Sequence, residues 1–364
     1  MVSLTWPAAL AWRLRRQHLE PRDGTSVPAV VGTLGAVAAQ LDPSAAELGV
    51  RARLRSSRPG DVDRALADGS LVRTFAFRGA THLMTPEQAG VHLALRTSSR
   101  MWERASWQSH YALAPGDWPA LRAAVREALT SGPLTRAELA AAVTTDARFR
   151  HLTAAFTDPS ATFLKPLAWQ GDLSLGHPRD GAMTLQGLDA NPRWTGLPDL
   201  DDAGPRAVET YLRAYGPAAP RHLHYWLGQG LGVRSTLLRR WLDALGARLC
   251  DVEVDGEPLL VLRDDLDELT ATAPTAVVRL LPQYDQWVLG PGTADPHIVP
   301  PDLRPEVSRG ARVVVVDGVV AGTWTRTGDT VRLTWRPGSP RSTDDALDAE
   351  IARLGGSPAA IVAG

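Results

Sequence analysis

"RPGDVDRALADGSLVRTFAFRGATHLMT" (Arg58–Thr85) decides how the N-terminal half of the chain is read. Pro59 to Ala67 has the spacing of a short helix, and Gly69 is placed to close it. Leu71 to Met84 then reads as two strands turning near Arg78-Gly79. Upstream, "TWPAALAWRLRRQHL" carries Trp6, Ala9, Leu10 and Leu14 at helical spacing. "PAVVGTLGAVAAQL" and "PSAAELGVRARL" follow, both also read as helices. Three helices followed by a β-hairpin is the order of elements in a winged helix.

The order recurs. "WPALRAAVREALTSGPLTRAELAAAV" pairs two helices, and "LKPLAWQGDLSLGHPRDGAMTLQG" reads as the hairpin after them. "GPRAVETYLRAYGPAAPRHLHYWL" and "LCDVEVDGEPLLVL", with its Asp-Gly turn, give a third set. Matching order in three segments argues for a tandem array. After residue 270 the helical period gives way to β-branched strands: "AVVRLLP", "QWVLGPG" and "ARVVVVDGVVAGTWTRTGDTVRLTWRPG". "TDDALDAEIARLGG" reads as a closing helix with Thr343 as its N-cap. The expected architecture is α+β. Residues 1–115 hold the N-terminal helices and a first winged helix, 116–200 a second, 201–269 a third, and 270–364 an antiparallel β-barrel with the closing helix.

Composition bounds the function. The chain has 364 residues and is 44% hydrophobic and 22% charged, which is ordinary for a globular protein of several structural units. No apolar run reaches the ~18 residues that cross a bilayer, and the N-terminus lacks the pattern of a signal peptide. One cysteine, Cys250, excludes an internal disulfide and a cysteine-based metal site. A cytoplasmic location is expected. The net charge of −1 hides a dipolar distribution, +6 over residues 1–170 and −7 over the rest. Such a chain can turn a basic face towards an anion, although drift of surface charge gives the same totals.

No Gly-rich phosphate loop, nucleophile elbow or metal-ligand spacing is present. His222 and His224, two apart on a helix, face different sides and make a poor chelate. Arg13, Arg15, Arg16 and Arg22, with Gln17 and His18, form the densest basic group, readable as a phosphate-binding face or as a solvated helix face. Arg78 and His82 fall at the tip and return strand of the first hairpin, where basic residues reach phosphates or simply face solvent. Lys165 is the single lysine. An amine of that kind can be tuned by burial. Trp102, Trp107 and Trp169 lie in polar surroundings that suit either base stacking or interdomain packing.

Four stretches, "LTWPAALAWRLRRQHL", "LVRTFAFRGATHLM", "LKPLAWQGDLSLG" and "RLLPQYDQWVLGPGTADPHIVP", resemble the AlkZ/YcaQ family of winged-helix DNA glycosylases. The resemblance implies three tandem winged helices in a C-shaped scaffold with a C-terminal β-barrel. The implied activity is removal of bulky alkylated purines, interstrand crosslinks and antibiotic adducts included, from double-stranded DNA. It further implies a monomer that needs no cofactor and no metal, because water is the nucleophile. The family's catalytic motif is Gln-Φ-Gln, or Gln-Φ-Asp or His-Φ-Gln in some branches, Φ being apolar. In "AAQLDPSAAEL" one register gives Gln40-Leu41-Asp42 as Gln-Φ-Asp; the other sets Ala38 and Gln40 at the two motif positions. The first makes Gln40 and Asp42 the catalytic pair: an amide to hold the water, and a carboxylate to take its proton and stabilise the oxocarbenium ion. Asp42-Pro43 is equally a good helix start, and Ser44-x-x-Glu47 a capping box. DNA contacts are expected from Arg13, Arg15, Arg16, Gln17, Arg78, His82, Lys165 and Trp169. Two alternatives remain at this point: a non-catalytic DNA-binding protein, and a bifunctional glycosylase-lyase that uses Lys165 as a Schiff-base amine.

Overall fold

The computed structural model describes residues 2–40, 43–355, 357–358 and 362–363, and the fold is a mixture of helices and sheets. The chain forms two compact units, each assembled from separated segments. One comprises Met1–Val62, Val208–Trp226 and Leu242–Gly364; the other comprises Asp63–Ala207 and Leu227–Trp241. No helix among the described residues is long and apolar enough to cross a membrane.

In the first unit the helix Trp6–Arg16 starts at Thr5 with proline in its first turn, where a missing N–H costs nothing. Trp6, Leu10, Trp12 and Leu14 are buried in the core. The next helix is shorter than its alanine-rich sequence suggests. It spans Val27–Leu34 and stops because Gly35 takes φ +75°, a backbone that alanine resists, so Val37–Ala38 is extended. The third helix, Pro43–Arg51, buries Ala46 and Val50, one turn apart.

Strand Val2–Leu4 runs parallel to Leu249–Val254, which pairs with Glu257–Leu262 through the Asp255-Gly256 turn, both residues at positive φ. A second sheet follows the order Val278–Leu281, Arg312–Val316, Val319–Thr327, Thr330–Trp335, and the last of these also pairs in parallel with Ser357–Pro358 and Val362–Ala363. Among the described residues it does not close into the expected barrel. Its first edge is covered by the closing helix instead: Glu350 accepts the Leu280 N–H (3.4 Å), and Leu347 and Ile351 pack with Trp324 and Trp335. Thr343 caps this helix as expected, accepting the Ala346 N–H (3.4 Å). "QWVL", expected as strand, is a helical turn (Gln286–Leu289), because Asp285 accepts the Trp287 N–H and nucleates it.

In the second unit the hairpin Val72–Phe75/Thr81–Met84 turns at Arg78-Gly79, both at positive φ, as the sequence indicates. The segment expected as the second hairpin begins with a helix, Leu164–Trp169, ended by Gly171 at φ +80°. Only Leu173–Leu175 and Thr184–Gly187 are strands. The two hairpins share one sheet: Arg73 pairs with Leu175, and Leu134–Thr135 extends it. The helix Arg136–Val143 starts with a capping box between Thr135 and Glu138.

Candidate catalytic loop and nucleic-acid interface

Gln40 does not end a helix. It follows the extended pair Val37–Ala38, beyond the buried Ala39, and its side chain is exposed and makes no hydrogen bond to a described residue. Asp42 lies outside the described residues, so half of the expected pair carries no geometry. What the structure does define is the support on either side. The Tyr215 hydroxyl donates to the Leu34 carbonyl (2.8 Å), fixing the end of the preceding helix. On the other side the Arg53 guanidinium donates to both carboxylate oxygens of Asp285 (2.7 and 2.8 Å) and to the Gly49 carbonyl (2.7 Å). Gly49 lets this pair approach closely: a Cβ there would stand 3.1 Å from Asp285 Oδ2, a tight contact. Glu47 accepts the Gly60 N–H (2.5 Å), tying the helix to the following loop. The exposed Gln40 thus lies between two elements that are each braced by buried polar groups, the kind of rigid support on which functional side chains are carried.

The N-terminal basic group is mostly internal, and this corrects two expected DNA contacts. Arg13 is 1% exposed and donates to the Gly216 (3.5 Å) and Pro217 (3.2 Å) carbonyls; burial holds its pKa below the ordinary arginine value. Gln17, wholly buried, donates to the Ala214 carbonyl (3.0 Å) and accepts from Arg53 (3.3 Å). Neither reaches a phosphate. Arg16 is engaged by the Arg213 carbonyl, Glu268 and Asp265. Arg15 is half exposed, with Glu268 3.8 Å away. Arg22 pairs with Glu350.

In the second unit Arg78 projects from the hairpin tip and is exposed. Lys165 lies against the same tip: a Cβ at Gly79 would be 3.4 Å from its Cδ and 3.5 Å from its Nζ. Partial burial and the nearby Arg96 lower the Lys165 pKa, with Asp158 opposing. His82 is buried, donates through Nδ1 to the Ala80 carbonyl (3.0 Å), and is pushed by burial to a pKa of about 4. Trp169 is 2% exposed, beneath the Arg96 guanidinium at 4.1 Å from the ring centroid. Both leave the expected set: a neutral, enclosed imidazole and an enclosed indole touch no groove. Trp102 is likewise buried.

Arg96 and Arg104 escaped the reading of the sequence. Arg96 donates to the Leu231 carbonyl (3.2 Å), and Arg104 is exposed and near enough to lower the Arg96 pKa. "RTSSRMWER" spaces arginines at intervals of four, but the helix ends at Thr97 and Arg100 takes positive φ, so the spacing is not a helix face and gave no local signal for the pair. The structure therefore gathers Arg78, Lys165, Arg96 and Arg104 in one region. No group of three His, Cys, Asp or Glu side chains suited to a metal ion occurs among the described residues.

A family described as "DNA glycosylase AlkZ-like" matches residues 31–356. The chain is 36% identical to a protein of Streptomyces sahachiroi named "Interstrand DNA cross-link repair glycosylase", over 96% of this chain and 95% of that one. Its fold is similar to the solved structure of the Streptomyces sahachiroi DNA glycosylase AlkZ, with a TM-score of 0.92, 35% identity and full coverage of both chains.

Proposed function

The chain belongs to the AlkZ-like DNA glycosylase family, and from that premise we propose that it hydrolyses the N-glycosidic bond of bulky alkylated purines, interstrand crosslinks and antibiotic adducts included, in double-stranded DNA. The observation that carries the catalytic assignment is the exposed Gln40 amide on a loop braced from both sides. In the proposed step the bond from the sugar C1′ to the base nitrogen breaks and its electron pair leaves with the alkylated purine. Gln40 holds a water on the far face of the sugar. The Asp42 carboxylate stabilises the developing cation and takes the proton as the water oxygen bonds to C1′. Water supplies the nucleophile, so the step needs no cofactor.

The helix–hairpin sets at residues 1–115, 116–200 and 201–269 are proposed as winged helices that hold the duplex, with 270–364 as a separate part. Arg78 and Lys165, and to a smaller degree Arg15 and Arg16, are the proposed phosphate contacts. The protein is proposed to work as a cytoplasmic monomer. Mass spectrometry of bases released from duplex DNA treated with diverse alkylators tests the function. Release of alkylated purines with abasic sites left behind is expected. Tight binding to alkylated DNA without release of any base favours a non-catalytic binding protein.

A further inference from the structure

A cavity of about 200 Å³ in the first unit is lined by Arg22, Arg51, Arg353, Ser57, Glu350 and Leu48. It lies at the C-terminal end of the Pro43–Arg51 helix, the opposite end from the Gln40 loop. Its charges do not balance. The Glu350 carboxylate is taken by Arg22, by Arg279 (3.5 Å) and by the Leu280 N–H (3.4 Å). Arg279 is also paired with Glu20. Arg51 and Arg353 have no ion-pair partner among the described residues; partial burial first, then Arg22, hold the Arg353 pKa down, with Glu350 opposing and Arg51 adding a smaller push.

Helix capping accounts for part of this arrangement. Arg353 Nη2 donates to the Arg51 and Leu54 carbonyls (both 3.3 Å), and Arg51 Nε donates to Ser57 Oγ (3.3 Å). The other guanidinium N–H groups of these two residues have no acceptor among the described residues. Arg353 is exposed and Arg51 half-buried, so both stay open to an incoming ligand. An anion between them relieves their mutual repulsion, and planar guanidinium forks match phosphate oxygens in pairs. We propose that this pocket binds a phosphate group, with Arg51 and Arg353 as its principal ligands. The phosphate is one of a DNA backbone or of a free phosphorylated small molecule. The first source rests on the glycosylase reading, and the second does not.

The test uses the full chain and two titrations. Inorganic phosphate is added in chloride buffer at matched ionic strength, with heat of binding and melting temperature as readouts. Undamaged duplex affinity is then measured over a range of salt. The wild-type protein is expected to bind phosphate saturably and to melt higher in its presence. The double variant Arg51→Gln/Arg353→Gln should bind phosphate roughly tenfold more weakly, as expected when charge-assisted hydrogen bonds are lost. Arg51→Lys, which keeps the charge, should bind in between. If the double variant also lowers the salt slope of DNA binding by about 0.9, one backbone phosphate sits in the pocket. An unchanged slope with phosphate binding lost assigns a free phosphorylated ligand. No saturable phosphate binding by the wild type, together with an unchanged slope, overturns the proposal and leaves a helix cap. Should the double variant fail to fold, the wild-type and Arg51→Lys titrations decide alone. Failure of base release with phosphate binding intact would overturn the glycosylase reading and not the pocket.

Discussion

Two of the basic groups in the N-terminal half of the chain are used by the structure in opposite ways. The denser one, from Arg13 to Arg22, is spent inside the protein. Arg13 and Gln17 satisfy backbone carbonyls, while Arg16 and Arg22 meet carboxylates. The sparser one, at the tip of the Val72–Met84 hairpin, keeps Arg78 exposed with Lys165 beside it and the exposed Arg104 nearby. Density of positive charge along a sequence is therefore a poor guide to where an anion binds. What counts is whether the fold encloses the charged side chain or leaves it exposed, as it encloses Arg13 and exposes Arg78. A long side chain with five donors serves either purpose equally well.

The largest effect should come from breaking the buried Arg53–Asp285 pair, on which Gln17 of the interior group rests. Asp285→Ala leaves the Arg53 charge, 1% exposed, without its bidentate partner, and should cost about 3–5 kcal/mol in urea unfolding. A loss below ~1 kcal/mol would show that Arg53 finds other partners and that the interior group is not structural.

Acidification tests the hairpin region. His82 and the fully buried His92 are held neutral by burial, with pKa values pushed from the ordinary 6.5 to about 4 and about 3. The folded state resists protonation that the unfolded chain accepts. The stability these groups protect is thus complete above pH 6.5 and is lost as the pH falls towards the folded values. The full loss is on the order of 3 kcal/mol for His82 and on the order of 5 kcal/mol for His92. His92→Phe, beside the Phe77 ring, should flatten the stability curve between pH 6.5 and 4. A curve as steep as that of the wild type would place the acid response elsewhere.

Smaller, and in DNA binding alone, is the expected effect of Arg78→Ala with Lys165→Ala. Affinity for an undamaged duplex should fall roughly tenfold at moderate salt, with a slope lower by about 0.9 per lost phosphate contact and an unchanged melting temperature. Equal loss with Arg15→Gln would erase the distinction between the two groups. Arg15→Gln itself should change stability by less than ~1 kcal/mol, since its pairing with Glu268 is exposed.

Much of the architecture was legible because it is written in local signals. The turn at Arg78-Gly79, the Asp255-Gly256 turn and the Thr343 cap each rest on residues whose own backbone or side-chain preferences set the conformation. The misses share a different cause. Arg13 is buried because carbonyls of Gly216 and Pro217, some two hundred positions away, come to meet it. Trp169 looked polar by its neighbours Gln170 and Asp172, yet Leu164–Trp169 is a buried helix. Among the described residues the strands after residue 270 do not close into a barrel, and Glu350 with the closing helix covers the edge strand Val278–Leu281. At Gly35 the signal was present, but a run of alanines outweighed it in the reading. Gln40 was singled out by residue type and family resemblance, and its exposure came only from the structure.

The central claim is that the Gln40 loop performs the chemistry, and base release tests it most directly. Free purine should be measured from alkylated duplex DNA under single-turnover conditions for the wild type, Gln40→Ala and Asp42→Asn, with melting temperature and duplex affinity measured beside it. The account predicts at least a tenfold loss of rate in each variant, about 1.4 kcal/mol in the barrier, with melting and affinity unchanged. Asparagine keeps most of the capping ability of aspartate, so Asp42→Asn separates proton acceptance from a helix start. Wild-type rates in both variants would contradict the account and put the active site elsewhere.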